Sequence, residues 1–219
     1  MNNLPSYIDH TLLSPEARET DIRKLCEEAW IHQFKAVCVA PTYVAYTTEM
    51  LEFCPVKIEI ATVIGFPLGY STTKVKIAEA QDALDNGASE LDVVMNISQF
   101  KSMAYLSIRE EIKDLVKLAH DRQAKLKVII ETAYLDSFDL YTACEICAEA
   151  EVDYVKTSTG FAPQGAALET VQKMRSILPA HIKIKASGGI RTYEQAIAFI
   201  EAGADRIGTS AGVAIVTSR

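Results

Sequence analysis

Short runs rich in β-branched residues recur along the chain, each followed by a segment whose apolar residues return every three or four positions. The runs are YIDHTL (7–12), KAVCVA (35–40), EIATVI (59–64), ELDVVMN (90–96), LKVIIET (126–132), DYVKTS (153–158), IKIKAS (182–187) and DRIGTS (205–210). Between them lie apolar stripes at helical spacing. Ile22, Leu25, Cys26 and Ala29 form one; Ile108, Ile112, Leu115, Val116 and Ala119 another; Tyr193, Ala196, Ile197 and Ile200 a third, opened by Thr192 and Gln195 at capping-box spacing. This alternation predicts parallel βαβ units, because each stripe needs a sheet to cover. Three helix-to-strand joints, NGASELDVV, EAEVDYVKT and EAGADRIGT, share a small-residue turn and an acidic lead into the strand, as if one unit were repeated. Eight units without a linker-like break predict a single (β/α)8 barrel over residues 1–219. The competing open, doubly wound sheet would leave two edges to protect. A barrel collects its chemistry at the C-terminal ends of its strands, so charged residues there deserve the closest reading.

Composition narrows the partners. The chain has 22 basic and 29 acidic residues, a net charge of −7, with no run of like charge; this argues against nucleic acid or an anionic membrane, and any bound phosphate must be held locally. Residues 60–73 form the longest stretch without a charge, too short for the roughly 20 apolar residues that cross a bilayer. The opening MNNLPSYIDH has no basic start and no apolar block, so no secretory leader is expected and a cytoplasmic location is. The five cysteines are an odd set without framework spacing and are expected as reduced thiols. Cys144 and Cys147 spell C-x-x-C but share a helix face with Leu140, Ala143 and Ala148, so they are assigned to core packing. No metal site is expected. The four histidines form no cluster, and three are expected at the surface.

Alternation along the strands directs several charged residues inward. In the sixth run Tyr154, Lys156 and Ser158 share the lumen face, and in the seventh Lys183 and Lys185 do, with Lys185 nearer the active end. In the fourth, Asp92, Val94 and Asn96 face in while Leu91, Val93 and Met95 face the helices. Two upper lysines and one carboxylate therefore converge. Ammonium groups about 4 Å apart at an effective dielectric of about 20 repel by about 4 kcal/mol, or three pKa units, enough to drive one of them neutral at pH 7. A neutral lysine attacks carbonyls and forms a Schiff base, an electron sink for the adjacent carbon–carbon bond. On this geometry Lys156 and Lys185 compete for the role. Asp9 faces the same end, as a ligand for sugar hydroxyls or as a structural partner of Lys183 or Lys185; Cys38 faces inward as a small apolar group beside the substrate.

Glycines and hydroxyls cluster after three successive strands: Ser158-Thr159-Gly160, Ser187-Gly188-Gly189 and Gly208-Thr209-Ser210. Backbone N–H groups at such loops can cradle an oxyanion, which predicts a small phosphorylated carbonyl substrate contacted by Thr159, Gly160, Gly188, Gly189, Gly208 and Ser210. An isomerase or epimerase on the same barrel, or a sugar-phosphate binding protein, would share these loops but would not need the lysine pair.

With these residues in view, the chain resembles the deoxyribose-phosphate aldolases. The likeness covers nearly the whole chain and rests on YIDHTLL (7–13), ELDVVMN (90–96), KVIIETAYL (127–135), YVKTSTGF (154–161), IKASGGIRT (184–192) and RIGTSAG (206–212). It implies Lys156 as the Schiff-base residue, Lys185 as its cationic neighbour and Asp92 as proton shuttle. The implied reaction is reversible cleavage of 2-deoxy-D-ribose 5-phosphate to D-glyceraldehyde 3-phosphate and acetaldehyde, with no metal or other cofactor. The expected partners are that sugar and, through self-association as a dimer or tetramer, further copies of the chain. The sequence departs from some members at Phe161, where they carry a lysine that can reach the phosphate, at Ala211, where they carry a second serine, and in the short run VAIVTSR that follows Gly212.

Overall fold

Each predicted strand pairs in parallel with its successor, and the last closes on the first. The computed structural model describes residues 3–218. Its strands are β1 (Ile8–Leu12), β2 (Ala36–Val39), β3 (Glu59–Ile64), β4 (Glu90–Val94), β5 (Lys125–Ile129), β6 (Tyr154–Lys156), β7 (Lys183–Ser187) and β8 (Arg206–Thr209), in a closed barrel of that order. Around it run α1 (Glu19–His32), α2 (Val44–Leu51), α3 (Thr73–Asp85), α4 (Ile97–Lys101), α5 (Tyr105–Asp121), α6 (Ser137–Glu149), α7 (Leu168–Ile177), α8 (Tyr193–Glu201) and α9 (Gly212–Thr217). The fold is the (β/α)8 barrel that the alternation predicted.

The shared joint phrase has a structural cause. Gly87, Glu151 and Gly203 all take positive φ (103°, 58° and 110°) to turn the chain from helix to strand. Two residues later Ser89, Asp153 and Asp205 accept the Ile60, Leu126 and Ile184 N–H groups at 3.0, 2.9 and 2.9 Å, tying each new strand to the one before it. The predicted helix stripes form the outer core: Ile22, Ile108, Leu115, Ala119 and Ala196 are all buried, as are Cys144 and Cys147. Burial pushes the Cys144 thiol up to about 12 and Cys147 also far above its ordinary value, which suits a packing role.

Seven of the eight strands are shorter than the runs that predicted them, β5 among them because Glu131, expected as a strand residue, takes a left-handed backbone. β4 stops at Val94 because Asn96, expected as an inward strand residue, instead caps α4 by accepting the Gln99 N–H at 3.1 Å. β6 is three residues long because the chain turns out of the ladder at Thr159, whose N–H points to Glu131. Above β4 a buried pair, Lys76–Glu111 at 2.6 Å, fixes α3 to α5, and the same Lys76 ammonium donates to the Val94 carbonyl at 2.9 Å. The end of the strand that carries Asp92 is thereby held. Among the described residues no helix is long and apolar enough to cross a membrane.

Candidate active site

The lumen of the barrel holds seven ionic side chains in one connected network. Asp92 receives three ammonium groups: Lys127 on Oδ1 at 2.7 Å, and Lys156 and Lys185 on Oδ2 at 2.8 Å each. Lys127 also meets Glu90 at 2.6 Å, and Lys185 meets Asp9 at 2.5 Å. Arg206 closes the ring, its Nε donating to Asp9 at 2.6 Å and its Nη2 to Glu90 at 3.1 Å. Strand register accounts for the convergence. Asp92 lies level with Lys127, Lys156 with Lys185, and Lys185 with Arg206, so alternation aims all of them at the axis.

Counting partners separates the lysines. Lys127, Lys185 and Arg206 each contact two carboxylates, whereas Lys156 contacts one. Four cations face three carboxylates in a region sealed from water, and an unbalanced buried charge is costly. One proton is in surplus. Burial, helped by repulsion from Lys185, outweighs the attraction of Asp92 and lowers the pKa of Lys156. Lys185 is buried as deeply, but Asp9 and Asp92 more than offset that cost and raise its pKa. Burial works against the Asp92 carboxylate too, yet Lys127, Lys156 and Lys185 hold it well below the usual carboxylate range. Depth agrees with charge: of the four cations only Lys156 lines the open cavity at the barrel mouth.

That cavity, of about 340 Å³, is bounded by Lys156, Gly160, Phe161, Gly189, Arg191 and Ser210. The loop glycines and Ser210 converge there as expected. Among the described residues the backbone N–H groups of Gly160, Gly188, Gly189 and Ser210 donate to no protein acceptor. Arg191, the exposed residue that follows Ile190, adds a guanidinium to the rim and forms no ion pair among the described residues. Leu13 and Phe161 add apolar surface to the cavity; Leu13 and Phe66 pack on a small buried cluster of Cys38, Ala61 and Val63, and the Phe66 and Phe161 rings meet edge to face at 5.1 Å.

Several expected contacts are redistributed. Asp9 is completely buried, with both oxygens engaged by Lys185 and Arg206, so it braces the network instead of meeting sugar hydroxyls. The Thr159 hydroxyl donates to Glu131 and accepts from the Phe161 N–H at 3.1 Å, which leaves it committed to the loop. A Cβ on Gly208 would come within 3.0 Å of Lys185 Cε, so this glycine gives room to a lysine stem as well as lining the cavity. Cys38, expected beside the substrate, does not line the cavity but is buried in that apolar cluster, and burial raises its thiol pKa, so it is no ready nucleophile. Lys183 lies exposed at the opposite end, its ammonium 5.7 Å from the Tyr154 ring centroid, and takes no part. His10 points outward and bonds Glu28 at 2.8 Å. Sequence reading passed over Lys127, Glu90, Arg206, Glu131 and Arg191. The first three carried a signal, a charged residue at an inward strand position, that pairing across strands alone could complete.

A family model for the DeoC/LacD family aldolases matches residues 5–218. The chain belongs to that family. Among curated relatives, the deoxyribose-phosphate aldolase of Thermococcus gammatolerans is 51% identical over 214 residues, 98% of this chain and 95% of that protein. The enzyme of the same name from Caldanaerobacter subterraneus subsp. tengcongensis is 49% identical over 215 residues, 98% of this chain and 92% of its own. A solved structure described as a unique tetrameric deoxyribose phosphate aldolase from Aeropyrum pernix superposes with a TM-score of 0.91 at 39% identity, covering 98% of this chain and 90% of that one. As a DeoC/LacD aldolase the chain is a carbon–carbon lyase.

Proposed function

We propose that this aldolase cleaves 2-deoxy-D-ribose 5-phosphate reversibly to D-glyceraldehyde 3-phosphate and acetaldehyde, with Lys156 as the Schiff-base residue. The observation that carries the reading is that Lys156 has a single carboxylate partner and is the one network cation on the open cavity. Its neutral amine adds to the C1 aldehyde of the open-chain sugar, and loss of water gives an iminium. The C3 hydroxyl then gives up its proton, the C2–C3 bond breaks, and its electron pair moves into the iminium. D-Glyceraldehyde 3-phosphate leaves, and the enamine of acetaldehyde remains on Lys156. Protonation of its terminal carbon and addition of water release acetaldehyde and the free amine.

Asp92 is too strong an acid to retain a proton. It holds Lys156 in place by its ionic contact and passes protons only transiently, between the ammonium groups that it accepts. Lys185, doubly paired, stays charged and keeps its neighbour's pKa down. The phosphate is assigned to the N–H groups of Gly160, Gly188, Gly189 and Ser210 with Arg191 beside them, since Phe161 and Ala211 offer it no charge or hydroxyl. The tetrameric relative supports self-association of this chain as a dimer or tetramer, and a cytoplasmic location accords with such a substrate.

Borohydride reduction in the presence of acetaldehyde should add a two-carbon adduct at Lys156, located by peptide mapping; a label on Lys185 would reverse the two roles. The phosphate loops have their own test. Gly189 has φ +81° and no atom within 4 Å of where a Cβ would stand, so alanine there would project into open space beside Arg191. Gly189→Ala should raise KM for the phosphorylated sugar about tenfold. Any folding penalty from the positive φ would reduce the reactions of deoxyribose and its phosphate alike. The ratio of the two kcat/KM values is the measurement, and an unchanged ratio would move the phosphate elsewhere.

A further inference from the structure

The third motif of the resemblance, KVIIETAYL, contributes Lys127 to the network, but its glutamate has no place in the chemistry so far. Glu131 follows the end of β5 and is 3% exposed. It is one of the few non-glycine residues with left-handed backbone, φ 49° and ψ 70°. The residues on either side keep to the ladder: Ile130 N–H donates to the Lys156 carbonyl at 3.0 Å, and Thr132 N–H to the Thr157 carbonyl at 2.9 Å. The left-handed kink between those two bonds lets Glu131 reach over the strand that carries the reactive lysine.

Its carboxylate is spent on one residue. Thr159 N–H lies 3.2 and 3.3 Å from the two oxygens, and the Thr159 hydroxyl donates to Oε2. That hydroxyl oxygen in turn accepts the Phe161 N–H at 3.1 Å. The amides on both sides of Gly160 are thus drawn to one acceptor system. Gly160, at φ +88°, is left on the cavity wall with an N–H that no described residue accepts. A carboxylate suits this position, because Thr159 presents two donors and a carboxylate offers acceptors to both.

We propose that Glu131 is a positioning residue for the phosphate: by fixing Thr159 and Phe161 it aims the Gly160 N–H at the bound oxyanion. The proposal rests on the phosphate reading above. A buried negative charge close to an anion site works against binding by simple electrostatics, so Glu131 contributes through orientation of the loop. Glu131→Gln places an amide NH2 against one of the two Thr159 donors. Thr159→Val removes the shared hydroxyl, and Thr159→Ser keeps it.

The probe is inorganic phosphate as a competitive inhibitor, read together with KM and kcat for 2-deoxy-D-ribose 5-phosphate. Glu131→Gln and Thr159→Val should each raise both the phosphate Ki and KM about tenfold while kcat falls less than about threefold. Thr159→Ser should restore Ki relative to Thr159→Val. Unchanged Ki and KM in folded Glu131→Gln and Thr159→Val would overturn the proposal, as would a loss confined to kcat and melting temperature, the mark of a merely structural glutamate. If phosphate does not compete even in the parent enzyme, the phosphate reading fails and this inference with it. Competition in the parent that both variants leave untouched sinks the role of Glu131 alone.

Discussion

Lys156→Met should lower kcat/KM by about 10⁴-fold or more and abolish borohydride trapping, yet leave the melting temperature within a few degrees of the parent. The first half follows from removing the amine to which the proposed imine is assigned. The second follows from the charge count. With Lys156 neutral, three cations balance three carboxylates, and methionine fills a similar volume without disturbing that balance. Asp92 loses one contact and keeps Lys127 and Lys185. Thermal unfolding and a trapping assay on the same sample check both halves. A marked loss of stability would mean that Lys156 is charged in the resting enzyme and that the surplus proton lies elsewhere.

The neighbouring lysine should behave in the opposite way. Lys185→Met removes a cation bound to two carboxylates, so Asp9 keeps only Arg206, and the barrel should lose about 3 to 5 kcal/mol of stability. Its effect on rate is indirect. Three cations would then face three carboxylates with Lys156 among them, so Lys156 would retain its proton. Each unit by which its pKa rises costs a factor of ten in neutral amine at pH 7, and a fall of about 10²-fold or more is expected. The sign of the pH dependence is fixed. The reactive form is the neutral amine, so kcat/KM climbs as pH rises through the lysine's pKa, and a raised pKa moves that rising limb to higher pH. Part of the lost rate should return in alkaline buffer. A loss that is independent of pH would make Lys185 a structural partner only.

The barrel was legible because its signals are local. Apolar spacing marks a helix within about two turns and a strand within a few residues, and the repeated joint phrase reflects a left-handed turn and one side-chain acceptor that each unit carries for itself. The inward direction of Asp92, Lys156 and Lys185 was legible for the same reason: alternation is a property of one strand. Strand ends were less so. Asn96 and Glu131 read as strand residues until a helix cap and a left-handed turn claimed them, and both side chains serve partners the local pattern does not contain.

By itself, the sequence determined the alternating units, the inward charges and the glycine loops, since each depends on periodicity or on the chemistry of adjacent residues. The resemblance to the family implied Lys156 for the Schiff base, which the residue pattern alone had left open between two lysines. How the two lysines differ emerges only when the strands are brought together. The reason is a count of partners across strands far apart in the chain: Asp9, braced by Arg206 from the opposite end of the sequence, gives Lys185 a second carboxylate beside Asp92, while Lys156 is left with Asp92 alone. The pKa of a buried amine is set by the charges within a few ångströms, and which charges those are is fixed only when the sheet closes.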